Sequence, residues 1–460
     1  MPTASTEMFG QQGDTASRTP VSVRVPALNY LVLLLLSSFL GAFLIYLELG
    51  VLAACLLALA WGALPVTALT DRVVFDGRRL RRTGILPRAW ARLTATRDRI
   101  KLSDIEMVQS TIVRTIKRGC NHFYTYRTTL QGKGKVYVVH SNHRNYAAFI
   151  RAVLPKLDPD ILDRRTIELR DHFSERGFAR ARARAAKIPS SDILEDALAV
   201  VRRKGRLQRD DSNPAAAAFL HSVANQLRIS GLLPQAVEAF RRATRHSPRD
   251  PILLFDFALC LNTFAAVRND FRVERRARAL MRLAERRAGA DPELLARMGE
   301  SYFQFGDWNR AGSVFRRAAE RAGSQFRALV GLAEVALHEG KIAHVIHNFT
   351  AAAQAARTPA MRRWTRHELE YFSRLQEDEE YMELEISRLG LIESLESFKR
   401  SSLRIAPAGF AAIALGLLIG DYLIANIGWT VSIISLAVWS AAILGINTLS
   451  SRLPYDRAEG

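Results

Sequence analysis

Cysteine is scarce: three residues in 460, Cys55, Cys120 and Cys260, with no CxxC pair. That excludes a disulfide framework and a four-ligand thiolate zinc site. The chain also lacks a GxxxxGK[ST] loop, a GxGxxG after a strand, a GxSxG elbow and an HExxH helix, so the common phosphate-, dinucleotide-, acyl- and zinc-based chemistries have no foothold. His338, His344 and His347 cluster in sequence, but no carboxylate stands at a zinc-ligand spacing beside them. The expectation is therefore a protein that is not an enzyme, with no metal and no cofactor.

Acidic residues are in deficit, with 65 Lys and Arg against 45 Asp and Glu and a net charge of +20. Yet 48% of residues are hydrophobic, so charge and apolar content must be segregated. No Lys or Arg occurs between Arg24 and Arg72, nor between Arg404 and Arg452. Each gap is about twice the ~20 residues a helix needs to cross a ~30 Å hydrocarbon core. Each reads as two spans: Leu28 to Leu47 and Val51 to Leu69 around Glu48-Leu49-Gly50, then Ala406 to Ile424 and Gly428 to Leu449 around Ala425-Asn426-Ile427. A cleaved signal peptide does not fit a first apolar stretch that is so long and is followed by a second span. Basic residues flank the outer ends of both hairpins and none lies in the turns, which predicts an integral inner-membrane protein of four spans with both termini and the soluble part in the cytoplasm. Ala412, Gly416 and Gly420 form a small-residue stripe suited to helix–helix packing in lipid; a homo-oligomer is possible on this basis but nothing else supports it.

Between the hairpins the chain repeats itself. Gly231 is followed at +5, +9 and +12 by Ala236, Phe240 and Ala243; Gly306 by Ala311, Phe315 and Ala318; Gly340 by Val345, Phe349 and Ala352. Small or aromatic residues recur upstream at −7 and −4, at Ala224 and Leu227, Gly299 and Tyr302, Ala333 and Ala336. This pattern resembles the tetratricopeptide repeat (TPR) family, whose 34-residue unit is a pair of antiparallel helices. Units start at Ala217, Pro251, Pro292 and Phe326, and the second carries about seven extra residues near Ala265 to Phe271 and lacks the turn glycine. The resemblance implies a groove, lined by the first helices, that takes a peptide or partner helix. Its lining would be His221, Asn225 and Arg228, Phe255 and Asn262, Glu293 and Glu300, Arg327 and Glu334. Asn225 matches the Asn of chaperone-binding members, but His221 and Glu293 stand where those have Lys, so a carboxylate clamp is not implied. A protein partner with a polar, mixed-charge surface is.

Residues 71 to 157 change period. Ala91 to Ala95, Arg99 to Val108, Thr111 to Ile116, His122 to Leu130 and Lys135 to His140 read as strands, and Asn145 to Leu157 as a helix with Asn142 as its cap. With LSDIEMVQS from Leu102 to Ser110, the segment resembles bacterial pleckstrin-homology-like (PH-like) domains. It is strongly basic, and Arg78, Arg79, Arg81 and Arg82 are candidates for anionic lipid headgroups, or simply the positive flank that sets topology. A further basic run, Arg176 to Lys187, lacks the stacking aromatics of a nucleic-acid module, so no nucleic-acid partner is expected.

The predicted organisation is a mainly α membrane protein: a disordered tail to residue 27, a transmembrane hairpin at 28–70, a small antiparallel β domain with a C-terminal helix at 71–160, a basic helical connector at 161–212, a TPR α-solenoid with capping helices at 213–400, a second hairpin at 401–451 and a tail at 452–460. The function expected is a membrane-anchored scaffold that recruits a protein to assemble or regulate a membrane complex, with an anionic-lipid-contacting protein as the alternative.

Overall fold

The computed structural model describes residues 20–25, 28–85, 88, 99–118, 121–143, 145–190, 213–289, 291–321 and 325–449. The strand predicted at 91–95, the later part of the connector predicted at 161–212 and most of both tails lie outside the described residues. The chain divides into two compact units, one running to Val25 and resuming at Asp71–Leu369, the other comprising Pro26–Thr70 and Glu370 onward.

The first unit begins with a strand that the sequence reading placed in a disordered tail. β1 (Val21–Arg24) pairs antiparallel with β2 (Arg72–Phe75), Val23 opposite Val73. Alternation puts Val23 into the core at 1% exposure. β2 continues to β3 (Arg79–Thr83) and β4 (Arg99–Lys101), a four-stranded antiparallel sheet. The strand expected over 99–108 breaks at a 3₁₀ turn, Leu102–Asp104, where the chain passes to a second sheet. That sheet holds β5 (Met107–Arg118), β6 (Asn121–Gly132) and β7 (Lys135–His140), all antiparallel. α1 of this unit's closing layer, Tyr146–Val153, buries Tyr146, Phe149, Ile150 and Val153. Its cap is Asn145, not Asn142; the Asn142 side chain instead accepts from Thr125 Oγ1 (3.2 Å). Two further helices follow, α2 (Arg164–His172) and α3 (Arg176–Ala185). α3 is the basic run; Ala179 and Ala183, four apart, are buried in the same core cluster as the first repeat, leaving Arg180 and Arg184 exposed.

The repeat array consists of antiparallel helix pairs α4 (Pro214–Ile229) with α5 (Leu233–His246), α6 (Pro251–Arg268) with α7 (Phe271–Arg287), α8 (Pro292–Gln304) with α9 (Trp308–Ala319), and α10 (Gln325–His338) with α11 (Ile342–Ala355), followed by α12 (Pro359–Glu377). Local chemistry explains the starts. Asn213, Asp250 and Asp291 accept backbone N–H bonds as N-caps, each with a proline at the first helical position, where no N–H is needed. The turns between paired helices use Gly231, Gly306 and Gly340 at positive φ. In the second unit Asn269 takes that left-handed place (φ 55°) and Asp270 caps the next helix, so the missing glycine is replaced and the extra residues lengthen α6. The recurrent small residues have a packing reason: the Phe315 ring lies between Gly299 and Gly331, and a methyl on either would overlap it.

The second unit contains α13 (Leu28–Tyr46), α14 (Gly50–Thr70), α15 (Glu379–Ile419) and α16 (Tyr422–Leu449). The expected capping helices and third span are one 41-residue helix, about 60 Å long at 1.5 Å per residue. The turn of the second hairpin falls at Gly420 (φ 78°) and Asp421, which caps Leu423 N–H (2.9 Å), and not at Ala425–Ile427, which are helical. The small-residue stripe is correspondingly displaced: Gly416 and Gly428 approach the opposite backbone closely, while Gly420 meets nothing and Ala412 is only half-buried. Arg388, buried with Glu385, donates to the Leu449 carbonyl (2.6 Å) and closes the end of α16. The two hairpins meet through Phe39, Tyr46 and Trp429, with ring centroids 5.1 and 5.9 Å apart, and through a Tyr46–Asn426 hydrogen bond. Outward side chains are apolar, Leu418 being 85% and Val51 80% exposed. Gly50–Thr70, Glu379–Ile419 and Tyr422–Ile446 are long and apolar enough to cross a membrane, as is α6 of the array, whose Leu254, Phe255 and Ala258 are buried among the other repeats; α13 contributes the shorter stretch Leu33–Tyr46.

Adding a methyl at Gly299 would place it 2.6 Å from the Phe315 ring. Gly299→Ala should destabilise the array by roughly 1–3 kcal/mol, and Phe315→Ala by about 3–5 kcal/mol. Denaturant unfolding followed by circular dichroism measures both; an unchanged midpoint for Gly299→Ala would contradict this packing.

Candidate functional site: the helical groove and its occupant

The residues predicted to line the groove lie on the first helices, α4, α6, α8 and α10, and the chain's own α2 packs against them. α2 is held to the β part by a buried polar chain. The Asp163 carboxylate caps Thr166 N–H (3.0 Å) and accepts from Ser110 N–H (3.1 Å), while the Thr166 hydroxyl donates to Ser110 (2.8 Å), which bonds Thr128 (3.0 Å) and, through it, Tyr146 (2.7 Å). Leu162 forms a parallel bridge with Val108. From this anchor α2 presents Arg164, Glu168 and His172 to the repeats.

Glu168 accepts from Arg228 (2.9 Å), and Arg164 donates to Gln304 (2.6 Å) and Ser301 (3.4 Å) while lying 3.7 Å from Glu168. Arg228 also donates to the Asn225 carbonyl oxygen (3.1 Å); Asn225 in turn donates to Asp256 (2.8 Å), which pairs with His221 Nε2 (2.7 Å), and lies 3.5 Å from the His172 ring. Tyr126 of β6 donates to the Ile229 carbonyl (2.7 Å). Asn225 is fully buried, and Arg164, Glu168 and Arg228 are each at or below 7% exposure. Burial alone would raise the Glu168 and Asp256 carboxyls; Arg228 and Arg164 outweigh it for Glu168, and His221, Arg297 and Arg228 for Asp256, so both stay below the usual carboxylate range. Burial lowers the His172 imidazole and pushes the Cys260 thiol up to about 12.

The predicted lining lies on the first helices, and much of that surface is covered by the chain's own α2. Asn225 and Arg228 are engaged by α2 and its neighbours. Phe255 is wholly buried beneath the Arg297 guanidinium, and Arg327 is buried in a bidentate pair with Glu300. Asn262 lines a cavity of about 240 Å³ with Tyr124, Arg165 and Glu168. Glu334 and Glu300 line another of about 430 Å³ with Asp160, Asp163 and Trp364, and Glu293 is exposed at the start of α8. Although the Glu334 side chain is exposed, partial desolvation by the crowded wall of this cavity, reinforced by Glu300 and opposed by Arg327, pushes its carboxyl up to about 7. The residues the sequence reading missed are Arg164 and Glu168, whose helix reads as a short charged segment and carries no repeat signal. Of the headgroup candidates, Arg82 is held bidentately by the buried Asp71 (2.9 and 2.6 Å), while Arg78, Arg79 and Arg81 are exposed. His338 packs on the Trp308 ring, centroids 3.7 Å apart, and no group of three His, Cys, Asp or Glu able to hold a metal occurs among the described residues.

No protein family and no curated protein matches the chain. Among solved structures it is similar to TTC0263, a thermophilic TPR protein of Thermus thermophilus, at a TM-score of 0.28 and 16% identity over 42% of this chain and 92% of that one. It is also similar to the APC/C hetero-tetramer Cut9–Hcn1, at a TM-score of 0.28 and 16% identity over 64% of this chain and 52% of that one. The helical-repeat architecture rests on the helix pairs themselves.

Removing one partner of the buried pair should be costly: Arg228→Ala is expected to lose about 3–5 kcal/mol, because Glu168 is left buried and uncompensated, whereas replacing both Arg228 and Glu168 by apolar residues should recover much of it. Urea unfolding of the purified chain separates the two. Glu334 gives the opposite sign. Its charge is disfavoured in the folded state, so Glu334→Gln should leave stability unchanged below its ordinary pKa of about 4.3, where both states are protonated, and increase it progressively from there to about pH 7, with no further gain above. Melting temperatures at pH 4 and pH 8 test this; a stabilisation equal at both would refute it.

Proposed function

We propose that the chain is a non-enzymatic, membrane-anchored repeat scaffold that recruits a protein partner carrying an acidic surface, and so assembles or regulates a membrane complex. The observation that supports it most directly is the contrast between the two faces of the array. The inner face is covered by the chain's own α2. On the outer face, α7 exposes Arg272, Arg275, Arg276, Arg278, Arg282, Arg286 and Arg287 along 17 residues. Arg278 pairs with Glu274 and Arg287 meets the Pro248 carbonyl; among the described residues Arg275, Arg276, Arg282 and Arg286 have no carboxylate within 4.0 Å. A row of unneutralised guanidiniums suits planar, bidentate recognition of carboxylates. In this reading the partner surface is the outer arginine face, and the groove is structural.

Anchoring comes from α13–α16, whose exteriors are apolar and three of which carry apolar stretches long enough to cross a bilayer, with the flanking arginines keeping the first unit in the cytoplasm. The β part is read as PH-like, a reading supported by its antiparallel strands closed by a helix. Tethering a weak-binding surface at the membrane raises its effective concentration for membrane partners.

Crosslinking from native membranes, comparing intact protein with Arg275→Glu/Arg276→Glu/Arg282→Glu/Arg286→Glu, should show a partner lost selectively from the variant, at an unchanged melting temperature. Identical partners with both proteins would sink the outer-face reading. Alkaline carbonate extraction is the companion test for anchoring, and release of the chain into the soluble fraction would count against it.

A further inference from the structure

The four-stranded sheet carries an unusual charge register. On its outer face Arg24 stands directly opposite Arg72, Arg81 opposite Arg99, and Arg79 opposite Lys101. The alternation Arg72/Val74, with Val74 opposite Arg81, puts all three pairs on one face. All six side chains are exposed, and β1–β4 contain no Asp or Glu. Asp71, next to Arg72, is committed to Arg82, and Asp76 in the β2–β3 turn accepts the backbone N–H groups of Arg78 and Arg79. Like charges directly opposite in an antiparallel pair destabilise it, and three such pairs side by side do so together. At the β1 edge of this face a cavity of about 460 Å³ is lined by Ser22, Arg24, Arg72, Asn142, His143 and Asn145, again without a carboxylate.

We infer that this sheet face is a docking surface for an anionic lipid bilayer, with headgroup phosphates lying between the opposed cations and one seated in the cavity beside Arg24, Arg72 and His143. The choice of a bilayer over a soluble polyanion comes from chain connectivity. Arg24 lies four residues before Leu28, where α13 begins, and Arg72 two residues after Thr70, where α14 ends; four extended residues reach about 14 Å. The contact therefore rests on the reading of α13 and α14 as membrane spans. It differs from a topology signal because the register, and not the mere number of arginines, is what anionic headgroups relieve. Arg82, turned to Asp71, takes no part.

The test uses full-length protein in nanodiscs of phosphatidylcholine alone or of phosphatidylcholine with phosphatidylglycerol. Intact protein should melt higher in the anionic discs, and 1 M NaCl should erase the difference by cutting the screening length to about 3 Å. Arg24→Gln/Arg72→Gln/Arg81→Gln/Arg99→Gln should lose the lipid dependence and, relieved of its own repulsion, melt in neutral discs at or above the intact protein; a merely structural role would lower that temperature. Incorporation with equal melting in both lipids would overturn the contact alone. A gain in neutral discs from inorganic phosphate equal to that from phosphatidylglycerol would assign the cavity to a free anion and overturn the bilayer. Failure to enter nanodiscs at all would remove the membrane reading and this contact with it.

Discussion

The Arg228–Glu168 pair is the contact on which the organisation of the first unit turns. Each group is almost wholly removed from water, and the desolvation of two such charges is tolerated only where their geometry is good and the remaining donors and acceptors are met. Arg228 has Asn225 on its other nitrogens, Asn225 has Asp256, and Asp256 has His221, while Glu168 Oε1 and Asp256 Oδ1 accept no hydrogen bond among the described residues. The network therefore runs from the β part's extension through the first two repeats. A repeat array alone would leave Arg228 and Asp256 facing an open groove. With α2 in place the groove is an interior, and the β part and the repeats fold as one compact unit.

A second constraint lies in the connection between β1 and β2. Neighbouring antiparallel strands are ordinarily joined by a short turn, whereas here the chain leaves at Val25 and returns at Asp71 after two apolar helices. A flexible insertion of that length would cost about 3 kcal/mol more to close than a two-residue turn. A helical hairpin removes most of that cost, since its own packing returns the chain to where it started. The junction is then fixed by the bond from Val25 N–H to the Asp71 carbonyl (3.2 Å) and by the Arg82–Asp71 pair, which ties β3 to the same point.

What the sequence disclosed follows from how local each cause is. Helix pairs were legible because Gly299, Phe315 and Gly331 must fit one ring between two bare backbones, a demand that leaves a periodic trace. The start of each first helix was legible in Asp250-Pro251 and Asp291-Pro292. The turn at Gly420-Asp421 was readable in principle, from a glycine followed by a capping residue, but the longer neutral run at 425–427 masked it. β1 was not legible, since four residues gain their meaning only from Val73 and Phe75, some 50 positions away. Repeat position alone assigned the groove residues to the first helices. Their role was not readable, because it depends on Arg164 and Glu168, and a helix reading RRTIELRDH looks solvated until its partners are known.

The allocation of acid explains where the net positive charge ends up. Glu168, Asp256, Glu300, Glu285, Glu238 and Asp71 are all drawn into pairs with basic side chains at least partly within the first unit. Interior pairing of this kind consumes carboxylates in a chain that already has fewer of them, and so leaves surplus guanidiniums on the surfaces least involved in the core. Among such surfaces are the outer face of α7 and the outer face of the four-stranded sheet. They need different counterparts. On the helix, arginines splay along a convex surface that a carboxylate-bearing protein can meet one group at a time; on the sheet, backbone register sets them opposite one another in one patch that a field of phosphates can neutralise together. The same shortage of acid thus gives one chain two electrostatically distinct faces, separated by the fold and not by composition.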